Sequence, residues 1–164
     1  MNLQKILKTH KQSFRSGLIE SLANQHNISP DEVIKQFGNS IDELITTRYS
    51  PLTLAVDTIC AINKPVILNI MQDRQREDTC SICQANESNI RALSEIYGDS
   101  IQIFEISEDN PSGSLYHVLF QGAPEEDKKL PLTAVIYNGN IIRVWAGKAI
   151  DKAVYVSMIK KALR

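Results

Sequence analysis

The sequence predicts an α/β fold: a mixed central sheet with helices on both faces, preceded by a small helical region. Three observations support this prediction. The first 48 residues carry only helical patterns, strand patterns alternate with helical ones from Lys64 onwards, and a short turn separates the last two strands. Strands that are joined through helices run parallel, whereas a tight hairpin is antiparallel, so the sheet must be mixed.

The helical region is predicted to be a series of short helices. Apolar residues recur at helical spacing over residues 16–25. Ser29-Pro30 then supplies a hydroxyl cap and a proline at the first helical position, and Gly38 is expected to end that helix. Ser40 is expected to begin another short helix, because a glutamate follows it three residues later.

A further helix is expected to begin the second part of the chain. Ser50-Pro51 would start it, with Leu54 and Ile59 on its apolar face. We therefore divide the chain into a helical N-terminal extension over residues 1–50 and an α/β domain over residues 51–164. The extension is expected to serve in docking or dimerisation.

The remaining elements are predicted from hydrophobic periodicity and turn residues. Asn138-Gly139 favours a hairpin turn, because both residues accept the positive φ that such turns require. The closing helix is expected to turn Val154, Met158, Ile159 and Leu163 inward. In chain order we expect strand, helix, strand, short helix, two strands and helix at residues 66–71, 81–97, 101–106, 114–120, 132–137, 141–145 and 149–163.

Composition narrows the class of protein. Lys and Arg number 18 against 19 Asp and Glu, which argues against a domain built to bind nucleic acid. No apolar run has the length of a signal-peptide core or a membrane span, so we expect a cytoplasmic protein without membrane partners. In a reducing compartment a close cysteine pair indicates redox catalysis or metal binding rather than a structural disulfide.

Cys80 and Cys83 form such a pair at the predicted start of the helix after the first strand. Positions three apart share a helix face, so the two sulfurs can meet. Unpaired N–H groups and the helix dipole favour a thiolate at Cys80, which makes it the expected nucleophile and Cys83 the resolving thiol. A structural zinc site wants four ligands, and only Cys60 and three histidines could join the pair, so we do not expect bound metal.

A proline strengthens the redox interpretation. Pro131 heads the penultimate strand, and seven residues later comes the hairpin turn, followed by a closing helix. Together with the cysteine pair after a hydrophobic strand, this order resembles the thioredoxin family over residues 51–164. The resemblance implies that Pro131 is cis and lies against the cysteines, and that Leu130 presents its backbone to an extended substrate. By the same resemblance Thr79, just before the first cysteine, belongs to the substrate-binding surface.

The chain departs from the family pattern at several positions. Thr79 replaces Trp, and Ser81-Ile82 replaces the Gly-Pro of thioredoxin. Because Ser81-Ile82 supplies no cation to hold a thiolate, we expect a reducing or intermediate redox character. Asn69 stands where family members often keep a buried acid. An amide cannot accept a proton, so proton transfer would need water or one of three nearby acids. These acids are Asp73, Glu77 and Asp78.

The sequence thus predicts a thiol–disulfide oxidoreductase that forms a mixed disulfide with a protein substrate and needs no prosthetic group. Two alternatives stay open. One is a non-catalytic thioredoxin-like adaptor or chaperone for one client protein. The other is a redox-sensing regulator whose N-terminal helices bind DNA, since residues 22–34 have helix-turn-helix spacing. The second helix of that pattern opens with Asp31-Glu32, which would face phosphates with like charge, so nucleic acid is not the expected partner.

Overall fold

The computed structural model describes residues 1–73, 80–121 and 123–164. Five helices and four strands are present in this part of the chain, with three single turns of 3₁₀ helix between them. The helices are α1 (Leu3–His26), α2 (Pro30–Cys60), α3 (Ser81–Tyr97), α4 (Leu115–Leu119) and α5 (Lys152–Ala162). The strands are β1 (Val66–Met71), β2 (Gln102–Ser107), β3 (Leu132–Tyr137) and β4 (Asn140–Ala146).

The four strands form one mixed sheet in the order β2–β1–β3–β4. β1 and β2 are parallel and connected through α3, whereas β3 is antiparallel to both β1 and β4. The hairpin turn has Asn138 at φ 48° and Gly139 at φ 71°, as the residue types predict. The strand order and helical crossover make this a thioredoxin-like α/β fold, which confirms the predicted fold class.

Both faces of the sheet are covered. Successive side chains of a strand point to opposite faces, so Leu68 and Ile70 on one side of β1 alternate with residues on the other. The first face packs against α1, α2 and α4. Ile67 lies on the second face, in a cluster with residues of α3 and α5. This double cover explains why every residue of β1 is buried.

The region predicted as three short helices is one helix of 31 residues, α2. Ser29 caps it as predicted, but the expected end at Gly38 and the expected starts at Ser40 and Ser50 are wrong. Pro51 lies inside the helix, where a proline removes one backbone hydrogen bond. A buried face that continues across the proline stabilises the helix more than local signals interrupt it. That face is formed by Ile41, Tyr49, Leu52, Val56 and Ile59.

The helix α1 packs antiparallel to α2. Side-chain contacts join His10 to Tyr49 near the sheet and Arg15 to Asp42 further away. The turn between the helices lies at Asn27, where the helix-turn-helix spacing predicts it. Contacts between the two helices continue along their length, so they run side by side instead of crossing steeply. The domain boundary predicted between residues 50 and 51 falls within α2, and the division itself stays a prediction.

The start of the chain packs against the central sheet. The N–H of Leu3 donates to the carbonyl of Gly139 at 2.8 Å, and the N–H of Ile141 donates to the carbonyl of Met1 at 2.8 Å. Leu3 and Leu7 are buried in the same cluster as the sheet residues of the first face. The base of the helical hairpin therefore forms one side of the core, and its far end carries a separate apolar cluster around Val33.

The closing helix is turned differently from the prediction. It begins at Lys152, capped by Asp151, and buries Tyr155 and Ile159. Val154 and Leu163 were expected inside but are 40% and 55% exposed. The large ring of Tyr155 occupies the interior because its hydroxyl finds a partner there. Across residues 1–73, 80–121 and 123–164, none of the helices is both long enough and apolar enough to span a bilayer.

Candidate functional site

The cysteine pair lies at the start of α3, at the edge of the sheet where β1 ends. Cys80 is the N-cap residue of the helix, with an extended backbone (φ −81°, ψ 96°), and Cys83 lies within the first turn. The two residues form a disulfide, with their Cα atoms 5.2 Å apart. Cys83 is only 6% exposed, whereas Cys80 is partly exposed, so an incoming sulfur would reach Cys80 first.

The helix start provides a donor to the outer sulfur. The backbone N–H of Cys83 donates to Sγ of Cys80 at 3.1 Å. The first turn of α3 contains no acidic residue, so no carboxylate of that turn opposes negative charge at this sulfur. In the reduced protein, such an N–H donor and the positive end of the helix dipole favour the thiolate over the thiol.

Cys80 lines a surface cavity of about 370 Å³, which we call the cysteine cavity. Leu130 lines the same cavity, and the Leu130–Pro131 peptide bond is cis. Pro131 itself is buried. The structure therefore brings Cys80 and Leu130 together, although they are far apart in sequence. Thr79, the remaining predicted substrate-binding residue, lies outside the described residues, as do Glu77 and Asp78.

The cysteine cavity is also lined by five residues that sequence reasoning did not assign to the site: Gln72, Glu108, Tyr116, Lys128 and Lys129. A signal for Glu108 was available, because it directly follows β2 and the carboxyl ends of parallel strands meet at one sheet edge. The two lysines could have been found from their position just before Leu130-Pro131.

Glu108 is held in place by the end of β1. Its N–H donates to the carbonyl of Met71 at 2.8 Å, and the N–H of Asp73 lies 3.5 Å from its carboxylate oxygen Oε1. An acidic residue therefore lines the same cavity as Cys80. Of the three acids considered from sequence as proton acceptors, Asp73 is the one whose position is described, and it lies beside Glu108.

Tyr116 brings a phenol to the same cavity. Burial raises the pKa of Tyr116, and the negative charges of Glu108 and Glu125 raise it further, against an opposing effect of Lys128. The hydroxyl is therefore protonated at neutral pH and can donate a hydrogen bond. Lys128 pairs with Glu125 at 2.8 Å, which holds its ammonium group at the rim.

Gly147 holds the segment before β3 against the end of β4. Its N–H donates to two carbonyls, that of Lys129 at 3.0 Å and that of Pro131 at 2.9 Å. Its backbone has φ 61°, and an added Cβ would lie 2.8 Å from Cβ of Lys129. Only glycine meets both requirements without strain, so this position keeps the Leu130 edge of the cysteine cavity in place.

A buried polar network lies one turn beyond Cys83 along α3. Its centre is Asn86, whose Nδ2 donates to Asn69 Oδ1 at 3.2 Å and to Thr133 Oγ1 at 2.8 Å. Its Oδ1 accepts from the N–H of Ile150 at 3.0 Å and from the hydroxyl of Tyr155 at 2.7 Å. Asn86 thus ties the cysteine-bearing helix to β1, β3 and the start of α5.

Asn69, the position of the expected buried acid, is fully buried in this network. Its Oδ1 accepts hydrogen bonds from Asn86 and from the hydroxyl of Thr133, the latter at 3.1 Å. Its Nδ2 has no hydrogen-bond partner among the described residues. Because the side chain at this position is an amide and not a carboxylate, it cannot accept a proton from Cys83.

The third cysteine takes no part in this site. Cys60 is at the end of α2, and its sulfur lies close to Gly139 in the hairpin turn. Burial raises the pKa of the Cys60 thiol, and Asp57 raises it further. Within the described ranges, no group of three or more His, Cys, Asp or Glu side chains is arranged to hold a metal ion.

Comparison with known proteins gives structural similarities only. No protein-family model matches the chain, and no curated protein matches it. A solved malarial protein has 19% identity and a TM-score of 0.46, and the match covers 62% of this chain and all of that protein. Thioredoxin-2, described as a component of the malaria parasite protein secretion machinery, has 18% identity and a TM-score of 0.45. That match covers 60% of this chain and 84% of thioredoxin-2.

Proposed function

We propose that the protein is a thiol–disulfide oxidoreductase that acts on the disulfides or dithiols of other proteins. The observation that carries the proposal is the Cys80–Cys83 disulfide at a helix start, with Cys80 lining a surface cavity that Leu130 also lines. A buried structural disulfide would need no such opening. The reducing compartment expected from the sequence also favours a functional pair over a structural one.

In the reducing direction, the Cys80 thiolate attacks one sulfur of a substrate disulfide. An S–S bond forms between Cys80 and the substrate, the substrate S–S bond breaks, and the departing substrate thiolate takes up a proton. The N–H of Cys83 stabilises the attacking thiolate. The Leu130 backbone pairs with an extended substrate in this proposal, which is supported by the fact that Leu130 and Cys80 line the same cavity. Glu108, which borders the same cavity, is a candidate to relay the proton.

The second step releases the substrate. Cys83 loses its proton and attacks the Cys80 sulfur, so the mixed disulfide breaks and the Cys80–Cys83 bond forms. The second substrate thiolate leaves and takes up a proton, so the substrate has gained two electrons and two protons. The electrons come from the two protein sulfurs, one proton comes from Cys83, and the other replaces the one that Cys80 released on forming its thiolate. A donor dithiol returns the protein to the reduced form. Asn69 supplies no carboxylate beneath the pair, so deprotonation of Cys83 relies on water or on the acids at the cavity rim.

Reduction of insulin disulfides tests the activity directly. With dithiothreitol as electron donor, the wild type should accelerate insulin reduction, and Cys80→Ser should lower the rate to the uncatalysed level because the attacking sulfur is gone. Cys60→Ala is the matched control and should retain the wild-type rate. In the wild-type background, Cys83→Ser should accumulate a mixed disulfide between Cys80 and the substrate. Mass spectrometry of this trapped species would identify the two linked cysteines.

An inactive wild type with an intact Cys80–Cys83 pair would overturn the enzymatic proposal and support the adaptor alternative. Equal rates for the wild type and Cys80→Ser would show that any measured reduction comes from elsewhere. A redox titration completes the test, since a strongly oxidising potential would contradict the reducing or intermediate character inferred from Ser81-Ile82.

A further inference from the structure

A second cavity, of about 530 Å³, lies between α1, α2 and α4, and we call it the basic cavity. Four of its side chains are cationic or can become so: His10 on α1, Arg48 on α2, His117 on α4, and Lys128. None of the described residues that line it is acidic. Arg48 carries a permanent positive charge, whereas Lys128 is already paired with Glu125. The two histidines add positive charge once they are protonated, so the concave surface favours an anion.

The geometry at Arg48 and His10 suits recognition of oxygen atoms. The guanidinium carbon of Arg48 lies 4.6 Å from the ring centroid of Phe14, and a guanidinium stacked in this way keeps its in-plane N–H groups for an acceptor. Nδ1 of His10 lies 2.6 Å from the hydroxyl of buried Tyr49, which orients the ring and leaves Nε2 for another partner.

Part of the lining is apolar. Phe14, Leu52 and Val118 belong to it, whereas Ser114 and Gln121 add neutral polar groups. The cavity is larger than an inorganic anion needs, and its apolar part suits the organic portion of a ligand. A phosphate group matches the polar part better than a carboxylate, because it offers three terminal oxygens and up to two negative charges to several donors.

The geometry points to the basic cavity as a binding site for a small phosphorylated organic molecule. The cationic side chains bind its phosphate, and the apolar residues contact its organic part. The site includes neither Cys80 nor Cys83, so this proposal does not depend on the proposed redox activity.

Binding is coupled to proton uptake. Burial lowers the pKa of His10, and the charges of His117 and Arg48 lower it further. Burial also lowers the pKa of His117, as do Lys128 and Arg48, while Glu125 opposes them. Tyr49 and Lys11 complete the surroundings of His10, the latter lying over the Tyr49 ring. A bound anion offsets the repulsion among these groups, so both imidazoles gain protons more readily when the site is occupied.

The binding test uses sulfate, inorganic phosphate and phenyl phosphate as probes, measured by isothermal titration calorimetry. Sulfate stays doubly charged across the range, so its affinity should rise as pH falls from about 8 to about 6 through protonation of the imidazoles. Phenyl phosphate should bind more tightly than inorganic phosphate because of the apolar part of the lining. Arg48→Gln should weaken sulfate binding about tenfold, the loss expected for one charge-assisted hydrogen bond.

Arg15→Gln is the matched control. It removes one arginine from the same helical hairpin, but Arg15 pairs with Asp42 outside the cavity, so sulfate binding should be unchanged. If both substitutions weakened sulfate binding equally, the loss would follow from the change in net charge, and the proposal of a binding site in the basic cavity would be wrong. Equal affinities for inorganic phosphate and phenyl phosphate would contradict the proposal that the apolar residues bind the organic part of a ligand.

Histidine resonances of the wild type give a second readout that needs no substitution. The chain has three histidines, and His26 lies at the far end of α1, stacked on Phe37. Saturation with phenyl phosphate should shift the ring resonances of His10 and His117 and leave those of His26 in place. Uniform shifts of all three, or none, would contradict binding in the basic cavity.

Discussion

Two cavities meet at Lys128, the cysteine cavity in front of α3 and the basic cavity between α1, α2 and α4. The cysteine cavity is lined by one half of a disulfide between residues three apart in sequence, and this local motif can be recognised in the sequence. The basic cavity is lined by basic side chains from three helices, and no sequence motif indicates it. A reactive cysteine at the start of a helix can be inferred from the residues next to it in sequence. A cluster of basic side chains from different helices depends on how those helices pack, so the sequence does not reveal it.

The two cavities also differ in what supports them. The helix that carries the cysteines is anchored by the buried network centred on Asn86, whose four hydrogen bonds involve three side chains and one backbone N–H. The basic cavity rests on the contact between His10 and Tyr49 and on ring stacking at the surface. Substitutions that act on one support and spare the other would sharpen this comparison.

The largest effect is expected at the network. Asn86→Ala leaves the Tyr155 hydroxyl and the Ile150 N–H buried without their acceptor, which should lower the free energy of unfolding by about 2–4 kcal/mol. Urea denaturation measures the loss. Asn39→Ala, at an exposed position of α2, is the control and should change stability by less than about 0.5 kcal/mol. Sulfate binding by the folded Asn86→Ala protein should match the wild type, and a parallel loss would mean that the two cavities share one support.

An intermediate effect is expected at Gly147. Gly147→Ala places a Cβ against Lys129 at a backbone with φ 61°, so it should lower stability by about 1–2 kcal/mol and slow insulin reduction by displacing the Leu130 edge. Gly17→Ala is the opposite case, because Gly17 lies in α1 and the added Cβ would have no atom within 4 Å apart from the neighbouring backbone of its own helix. It should raise stability by up to about 1 kcal/mol. Thermal unfolding of both variants checks the signs. A Gly147→Ala protein with wild-type stability and a wild-type rate of insulin reduction would refute the role given to Gly147.

The smallest effect is the pH dependence at the basic cavity. The pKa values of His10 and His117 are lowered in the folded protein, so the unfolded chain binds protons more readily. Their contribution to stability is complete above the unfolded pKa of about 6.5 and is lost as pH falls towards the folded values. His117→Gln should therefore lose less stability than the wild type between about pH 7 and about pH 5, as measured by urea denaturation. An identical slope for both proteins would show that His117 does not titrate in this setting, and saturating sulfate should flatten the wild-type slope.

Local signals predicted the α/β part of the chain closely. The bounds of β1, α3 and β3 agree with those predicted from hydrophobic runs and caps. The hairpin turn and the cysteine positions at the start of α3 also agree. These features depend on residues adjacent in the chain, so their physical causes were visible without the fold.

Long-range packing decided the parts that the sequence analysis missed. Leu54 was expected on the buried face of its helix but is 70% exposed, because the continuous helix α2 turns a different face towards the sheet. Tyr155 displaced Val154 from the interior because Asn86, on another helix, offers its hydroxyl a partner. Glu108 joined the cysteine cavity through the pairing of β2 with β1.

The sequence by itself determined the order of the strands and helices in the α/β part, the hairpin, and the position of the two sulfurs at a helix start. Each of these follows from period, capping and turn chemistry over a few residues. Only the tertiary structure decided that α2 runs through Pro51, that α1 forms part of the core, and that four basic side chains surround one cavity. Burial against distant elements stabilises these arrangements, and a contact between residues far apart in the chain leaves no local pattern.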